Sequence, residues 1–337
     1  MVTFLPRLPG RLADVPSFDR AIGGAESNVA CTLARTGHPT RWISRVGTDG
    51  FGDHLLAAIA DCGVDVRHVR RDPLRPTGVY FRTAGDRATG THEVAYYRAG
   101  SAASAMTAAD LDPAALYGGR ILHLSGITAA LSADCLGLLR ELTTRRPGRP
   151  LLSFDVNYRP GLWPDTARAR VLLDLARGAD LVFVGDDEAR DAWGLHGPRA
   201  IREALPEPHT LVVKQGRAGA TVFRRTREPG SSRDDATFVP ALAVDLVAAT
   251  GAGDAFAAGF LSATLRGLPD RARLRHGHLW AAAALTVPGD LAIPPRRPYA
   301  DRLAALDDPA WERLHLAPGW TDADTSGHRA GEEVPTK

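Results

Sequence analysis

From position 120 onward, short apolar runs alternate with helical stretches, and this alternation restricts the possible folds more than any other feature. The runs lie at 121–124, 151–155, 181–184, 211–214 and 220–223. Strands buried on both faces read as continuous apolar runs, and intervening helices imply crossovers. The pattern therefore predicts a mostly parallel sheet wrapped by helices and rejects all-β and all-α folds. Ala-rich apolar stretches at 255–265 and 279–285 are expected as helices against that sheet, with 224–236 as a polar loop. Upstream, a helix at 27–35 ends at Gly37, a strand follows at 40–46, and a second helix at 53–62 is closed by Gly63. Between 76 and 102 the pattern becomes β-rich, with 78–82 and 93–98 reading as a hairpin subdomain. Beyond Pro318 the residues are polar, and a disordered tail is expected over 319–337.

The chain has 337 residues, enough for one large core with an appendage. Its 41 basic and 39 acidic residues give a formal charge of +2, which supplies no overall field for nucleic acid or an anionic membrane. Lysine occurs only at Lys214 and Lys337, and the preference for arginine reads as genomic base composition. Cys31, Cys62 and Cys135 are odd in number and widely spaced, so neither a disulfide framework nor a zinc site is indicated, and a reducing cytoplasm fits. No apolar run suits a membrane helix, and the N-terminus lacks the pattern of a signal peptide.

The sharpest local feature is Thr250-Gly251-Ala252-Gly253-Asp254-Ala255-Phe256. Glycines release the backbone into a tight turn before a helix, whose amides and dipole can stabilise charge on a transferring phosphoryl group. An acid at the helix entrance can receive a hydroxyl proton. Read alone, Asp254 could equally be a favourable first-turn acid. The turn lies too late in the chain for a dinucleotide-binding fingerprint and lacks the Gly-Lys-Ser/Thr of a phosphate loop.

Together with Gly23-Gly24-Ala25-Glu26-Ser27-Asn28, this segment resembles the ribokinase-like (PfkB) carbohydrate kinase family, and the likeness extends over nearly the whole chain before the tail. The resemblance implies an α/β fold, a doubly wound mostly parallel sheet flanked by helices, with a small β-sheet lid. The lid would comprise 1–22 and 73–102 and the core 23–72 and 103–318. It also implies that Gly24 and Asn28 contact a sugar, that Gly251, Ala252 and Gly253 form an anion hole, and that Asp254 is the general base. Members normally begin with a core strand, and by that comparison this sequence starts just after it, so an upstream-extended chain is expected to be more stable and more active. Relatives carry an acid closer to the turn than Asp245, which five residues separate from Gly251.

Phe154-Asp155-Val156-Asn157-Tyr158-Arg159-Pro160-Gly161-Leu162-Trp163 and Tyr96-Tyr97-Arg98-Ala99-Gly100-Ser101-Ala102 resemble 2-keto-3-deoxygluconate kinases. Guanidinium groups bind carboxylates through paired charge-assisted hydrogen bonds, which makes Arg98 and Arg159 candidates for a sugar acid. The same resemblance implies sugar contacts from Tyr80, Tyr96 and Asn157. For ATP it implies Lys214, Gly216 and Gly219, with Gly251 and Gly253, and His278 where relatives often present asparagine near adenine. Glu188 either organises Mg2+ through water or, with Asp186 and Asp187, is an acidic helix start. A monovalent cation and a homo-oligomer paired through the lid are further expectations. The competing readings are a fructokinase- or ribokinase-like enzyme for a neutral sugar and a catalytically silent sugar-binding homologue.

Overall fold

The computed structural model describes residues 1–8, 10–83, 93–225 and 234–325. In chain order its strands include β1 (Val2–Pro6), β2 (Phe18–Ile22), β3 (Ser44–Gly47), β4 (Val69–Asp72), β5 (Val79–Arg82), β6 (Val94–Tyr97), β7 (Ile121–Ser125), β8 (Leu151–Asp155), β9 (Leu181–Gly185), β10 (Thr210–Lys214), β11 (Gly219–Arg225) and β12 (Asp234–Pro240). The longer helices are α1 (Ala25–Arg35), α2 (Gly50–Asp61), α3 (Ala133–Thr143), α4 (Ala252–Leu265) and α5 (Asp270–Leu285).

Six strands form the central sheet in the order β12-β11-β10-β9-β8-β7. Strands β7 to β10 run parallel, while β11 and β12 return antiparallel at one edge. Alternate residues feed two cores. Leu181, Phe183 and Val212 pack with α4 and α5, whereas Val182, Val184, Leu211 and Val213 pack with α3 on the opposite face. This double burial explains the unbroken apolar runs. Phe183 meets Phe260 edge-on at 5.4 Å, and burying each such ring contributes about 1.5–3 kcal/mol. Residues 255–263 of α4 are all buried, as expected of a helix that is apolar around its whole circumference.

A second sheet, ordered β2-β1-β5-β6, carries residues from both ends of the expected lid. β3 and β4 pair with each other, in parallel. The stretch expected as a strand at 40–46 pairs as β3 only from Ser44; before it Arg41 makes an isolated bridge to Asp65, and Trp42 is buried in a further apolar cluster with Cys31, Val46, Leu55 and Ile59.

Two expectations are corrected. Residues 224–225 and 234–236, read as polar loop, belong to β11 and to β12, an edge strand with one neighbour whose Asp235 and Ala236 are exposed; 226–233 lie outside the described residues. In the expected tail, Trp320 is 7% exposed and packs 6.0 Å from Tyr299, since its indole gains more from the core than from water. The remainder of that expectation, 326–337, lies outside the described residues. The three cysteines are buried and free, and among the described residues no helix is long and apolar enough to cross a membrane.

Candidate active site

The parallel strands end together. Register aligns Lys214, the last residue of β10, with Gly185, the last of β9, and Asp155 closes β8 beside them. In an open α/β sheet this carboxyl edge is where ligands bind. Lys214 Nζ donates to both carboxylate oxygens of Asp155 at 3.1 Å. Glu188, in the first turn of the helix that follows β9, accepts from the Gly185 amide at 3.0 Å and lies 3.6 Å from Arg159 Nη1. Burial pushes Glu188 above the usual carboxyl range, with Lys214 opposing. Burial also pulls Lys214 down, but Asp155 and Glu188 more than offset it and hold the ammonium above its ordinary value.

The Gly-rich turn faces this cluster. Gly251 has φ +79°, and a Cβ there would collide with the Asp290 carbonyl oxygen, so two independent constraints demand glycine. The first intrahelical bond of α4 runs from Ala255 to Gly251, which leaves the amides of Ala252, Gly253 and Asp254 without helix partners. A Cβ on Gly253 would lie 3.6 Å from Lys214 Nζ, so the glycine turn and the lysine share one space. Asp254 accepts a 2.9 Å bond from Asn28 Nδ2. Burial raises its carboxyl to about 7, the Asn28 bond opposes this, and neighbouring Asp155 adds to it. A carboxyl with that value is suited to accept a proton near neutral pH.

Asn28 is delivered by the start of α1. Gly24 precedes the helix with φ +142°, its carbonyl accepts from the Asn28 amide at 2.8 Å, and Ser27 Oγ donates to the same oxygen. From the lid, Tyr80 and Arg82 point the same way, as i and i+2 residues of a strand must. Both reach Asp290: Tyr80 through its hydroxyl and Arg82 at 3.0 Å. Arg82 also donates to Thr250 Oγ1 at 3.1 Å, one residue before the turn. A small cavity beneath the turn is lined by Asn28, Gly251, Trp280 and Asp290 among others.

The arginines occupy different neighbourhoods. Arg98 lies over the Tyr96 ring at 4.5 Å, and Tyr96 is 5.5 Å from Tyr80. Arg159 is beside Glu188. Asn157 is buried with φ +44°, a left-handed conformation uncommon outside glycine, and its Oδ1 lacks a hydrogen-bond partner among the described residues. Gly216 (φ +56°) and Gly219 (φ +139°) turn the chain between β10 and β11; Gly216 faces open space, whereas Gly219 packs tightly against β12.

One expected nucleotide contact is corrected. His278 is 7% exposed, its Nε2 bonds the Val239 carbonyl at 3.1 Å, and its ring packs against Phe256 and Trp311. Burial lowers it to about 4, so it is a neutral core histidine. Asp155, Arg82 and Asp290 were not foreseen as site residues. The period of two in β5 links Arg82 to Tyr80, and Asp155 stands inside a recognised motif, but no local pattern marks Asp290.

Comparison with known proteins gives a consistent picture. The family model described as pfkB family carbohydrate kinase matches residues 2–296. The 2-dehydro-3-deoxygluconokinase of Bacillus subtilis is 35% identical over 312 residues, covering 90% of this chain and 93% of that protein. The probable chloroplastic fructokinase-6 of Arabidopsis thaliana is 32% identical, over 87% of this chain and 77% of its own. Among solved structures, a PfkB protein from Polaromonas sp. JS666 superposes with a TM-score of 0.77 at 35% identity, covering 90% of this chain and 96% of that one.

Proposed function

The chain belongs to the pfkB family of carbohydrate kinases, and we propose that it transfers the γ-phosphoryl group of ATP to the terminal hydroxyl of a sugar acid, 2-keto-3-deoxygluconate, giving the 6-phosphate. The observation that carries this reading is Asp254, held by Asn28 at the mouth of a turn whose free amides converge with Lys214. Asp254 takes the hydroxyl proton as the oxygen attacks phosphorus. The unpaired amides of Ala252 and Gly253 offset the developing charge. Tyr80, Tyr96 and Asn157 shape the sugar pocket with Gly24, while Gly216, which faces open space, admits the nucleotide and Gly219 lets the turn pack against β12.

Magnesium fits this donor set in one way. Among the described residues no group of three or more ligating side chains could hold a metal alone, so the ion would be held chiefly by nucleotide phosphates and water, with Glu188 and Asp155 as nearby carboxylates. It would supply charge neutralisation on the phosphates. A monovalent cation beside the Gly251 turn is part of the same reading and is tested by potassium titration. So is a cytoplasmic location, which the free cysteines favour.

Arg98 and Arg159 support an acid substrate, because a neutral sugar offers them no carboxylate. A neutral-ketose reading is favoured instead by their existing partners, Tyr96 and Glu188, and by the fructokinase relative. A lid-mediated homo-oligomer is supported by the aromatic series Phe18, Phe81, Phe4 and Tyr97, of which Tyr97 is 66% exposed. A coupled ADP-release assay with 2-keto-3-deoxygluconate, fructose and ribose separates these readings. Preference for the acid, lost on Arg98→Ala or Arg159→Ala by about 10- to 100-fold in kcat/KM, supports the proposal. Preference for fructose or ribose moves the substrate to a neutral sugar, and no ADP release with any sugar favours the silent homologue.

A further inference from the structure

Two of the three cysteines meet behind the site, and the proposed phosphoryl transfer uses neither. Cys31 is on α1, one turn beyond Asn28, and Cys62 caps the C-terminal end of α2. Both belong to the apolar cluster that holds Trp42 and Ile59, and their thiols are within hydrogen-bonding reach of each other. The packing of the two helices agrees. Ala34 is three residues on from Cys31, on the same face of α1, and its Cβ is 3.8 Å from the place a Cβ on Gly63 would take. Cys135, on α3, packs in a different core, where its thiol donates to the Ala103 carbonyl at 3.4 Å. Of the pair, Cys62 is the nearer to solvent, 8% exposed against 0% for Cys31 and set between the exposed Asp61 and Gly63. The hydrogen bond from Cys31 holds the Cys62 thiol below its ordinary value; burial opposes this, and the Arg35 guanidinium beside the sulfur adds to it. A thiol with thiolate character, next to a cation and a second thiol, is chemically set for oxidation. Arg35 also leads back to the site: its Nη1 donates to the Ala292 carbonyl at 3.1 Å, and Ala292 lines the cavity beneath the turn with Asn28 and Gly251.

We propose that hydrogen peroxide joins Cys31 to Cys62 in a reversible disulfide, and that closing this bond slows turnover by displacing α1 beneath Asn28. The Cys62 thiolate, its proton given to water, attacks one peroxide oxygen. The S–O bond forms, the O–O bond breaks, and the departing hydroxide takes up that proton as water. The Cys31 sulfur then attacks the sulfenic sulfur; the S–S bond forms, the S–O bond breaks, and hydroxide leaves with the Cys31 proton as a second water. The two sulfurs together give up two electrons, and the peroxide takes both. A disulfide holds its sulfurs about 2.05 Å apart, closer than any hydrogen bond, so α1 and the end of α2 must draw together. Asn28 is one turn away on α1, so the shift reaches the bond that holds Asp254. The disulfide is independent of the kinase reading, and its effect on turnover rests on that reading.

The test treats the reduced full-length protein, natively folded, with a small molar excess of hydrogen peroxide, and counts thiols after denaturation. Three thiols should fall to one, peptide mapping should find Cys31 joined to Cys62, and dithiothreitol should restore all three. For the sugar that the reduced enzyme phosphorylates best, kcat should fall about 10- to 100-fold on oxidation and return on reduction, the loss expected of a displacement of about 1 Å at the reacting groups. Cys135→Ser should respond as wild type does. Cys62→Ser should match the reduced wild type and stay active through the same treatment; if it does not fold, Cys31→Ala gives the same readout. Persistence of all three thiols, a cross-link through Cys135, or an inactivation that Cys62→Ser shares overturns the proposal. A Cys31–Cys62 disulfide that leaves kcat within about threefold overturns its second half. A reduced protein that phosphorylates no tested sugar would leave the disulfide to stand or fall on the thiol count, and would remove the kinase reading and the effect on turnover instead.

Discussion

Asn28 Nδ2 donates to Asp254 Oδ2 at 2.9 Å, joining the first turns of two helices 226 residues apart in sequence. The resemblance alone assigned Asn28 to the sugar; its partner in the structure is Asp254, the proposed base. Burial raises Asp254 and this bond works against it. The base must be ionised to act, so kcat/KM should rise with pH through about 7 and level off above. Removing the bond in Asn28→Ala raises the carboxyl further and moves the midpoint of the pH profile upward by about one unit. If Asn28 serves only the sugar, KM rises and the midpoint stays.

The two glycines of the turn should respond differently to alanine. At Gly251 a side chain meets both a left-handed φ and the Asp290 carbonyl, so Gly251→Ala should cost about 1–3 kcal/mol of stability and about 10²- to 10³-fold in kcat. At Gly253 a Cβ makes only ordinary contact, with Lys214 Nζ, inside a helix that favours alanine over glycine. Gly253→Ala should therefore keep or raise Tm, and thermal melts of the two variants check the contrast.

Arg82 and Asp290 tie the lid to the turn. Both side chains are buried, and Arg82 is shared with Thr250. Arg82→Met leaves the Asp290 carboxyl without its cation and should destabilise by about 3–5 kcal/mol in chemical denaturation. Adding Asp290→Asn removes the stranded charge and should recover part of that loss. Strict additivity of the two changes would contradict a direct pair.

Much of the central sheet was legible because Leu181–Gly185 and Thr210–Lys214 are buried on both faces, and that burial writes unbroken apolar runs into the sequence. Strand β12 was not, since its opening residues Asp234, Asp235 and Ala236 are polar or small and largely exposed, and write no apolar run. The glycine turn was legible because backbone geometry restricts which residues can occupy it. His278 was misread because a name in a motif does not reveal which way a ring points. Asp290 was invisible: its significance comes from Tyr80 and Arg82, more than 200 residues away, and no local pattern encodes such a meeting.

The most direct test of the account is the turnover of Asp254→Asn, measured alongside calorimetric binding of 2-keto-3-deoxygluconate. Amide replaces carboxylate at nearly constant shape, so sugar affinity should stay within a few-fold while kcat falls by about 10²- to 10⁴-fold. A kcat within threefold of wild type would contradict the assignment of Asp254 as the base, and with it the mechanism built around the Gly251 turn.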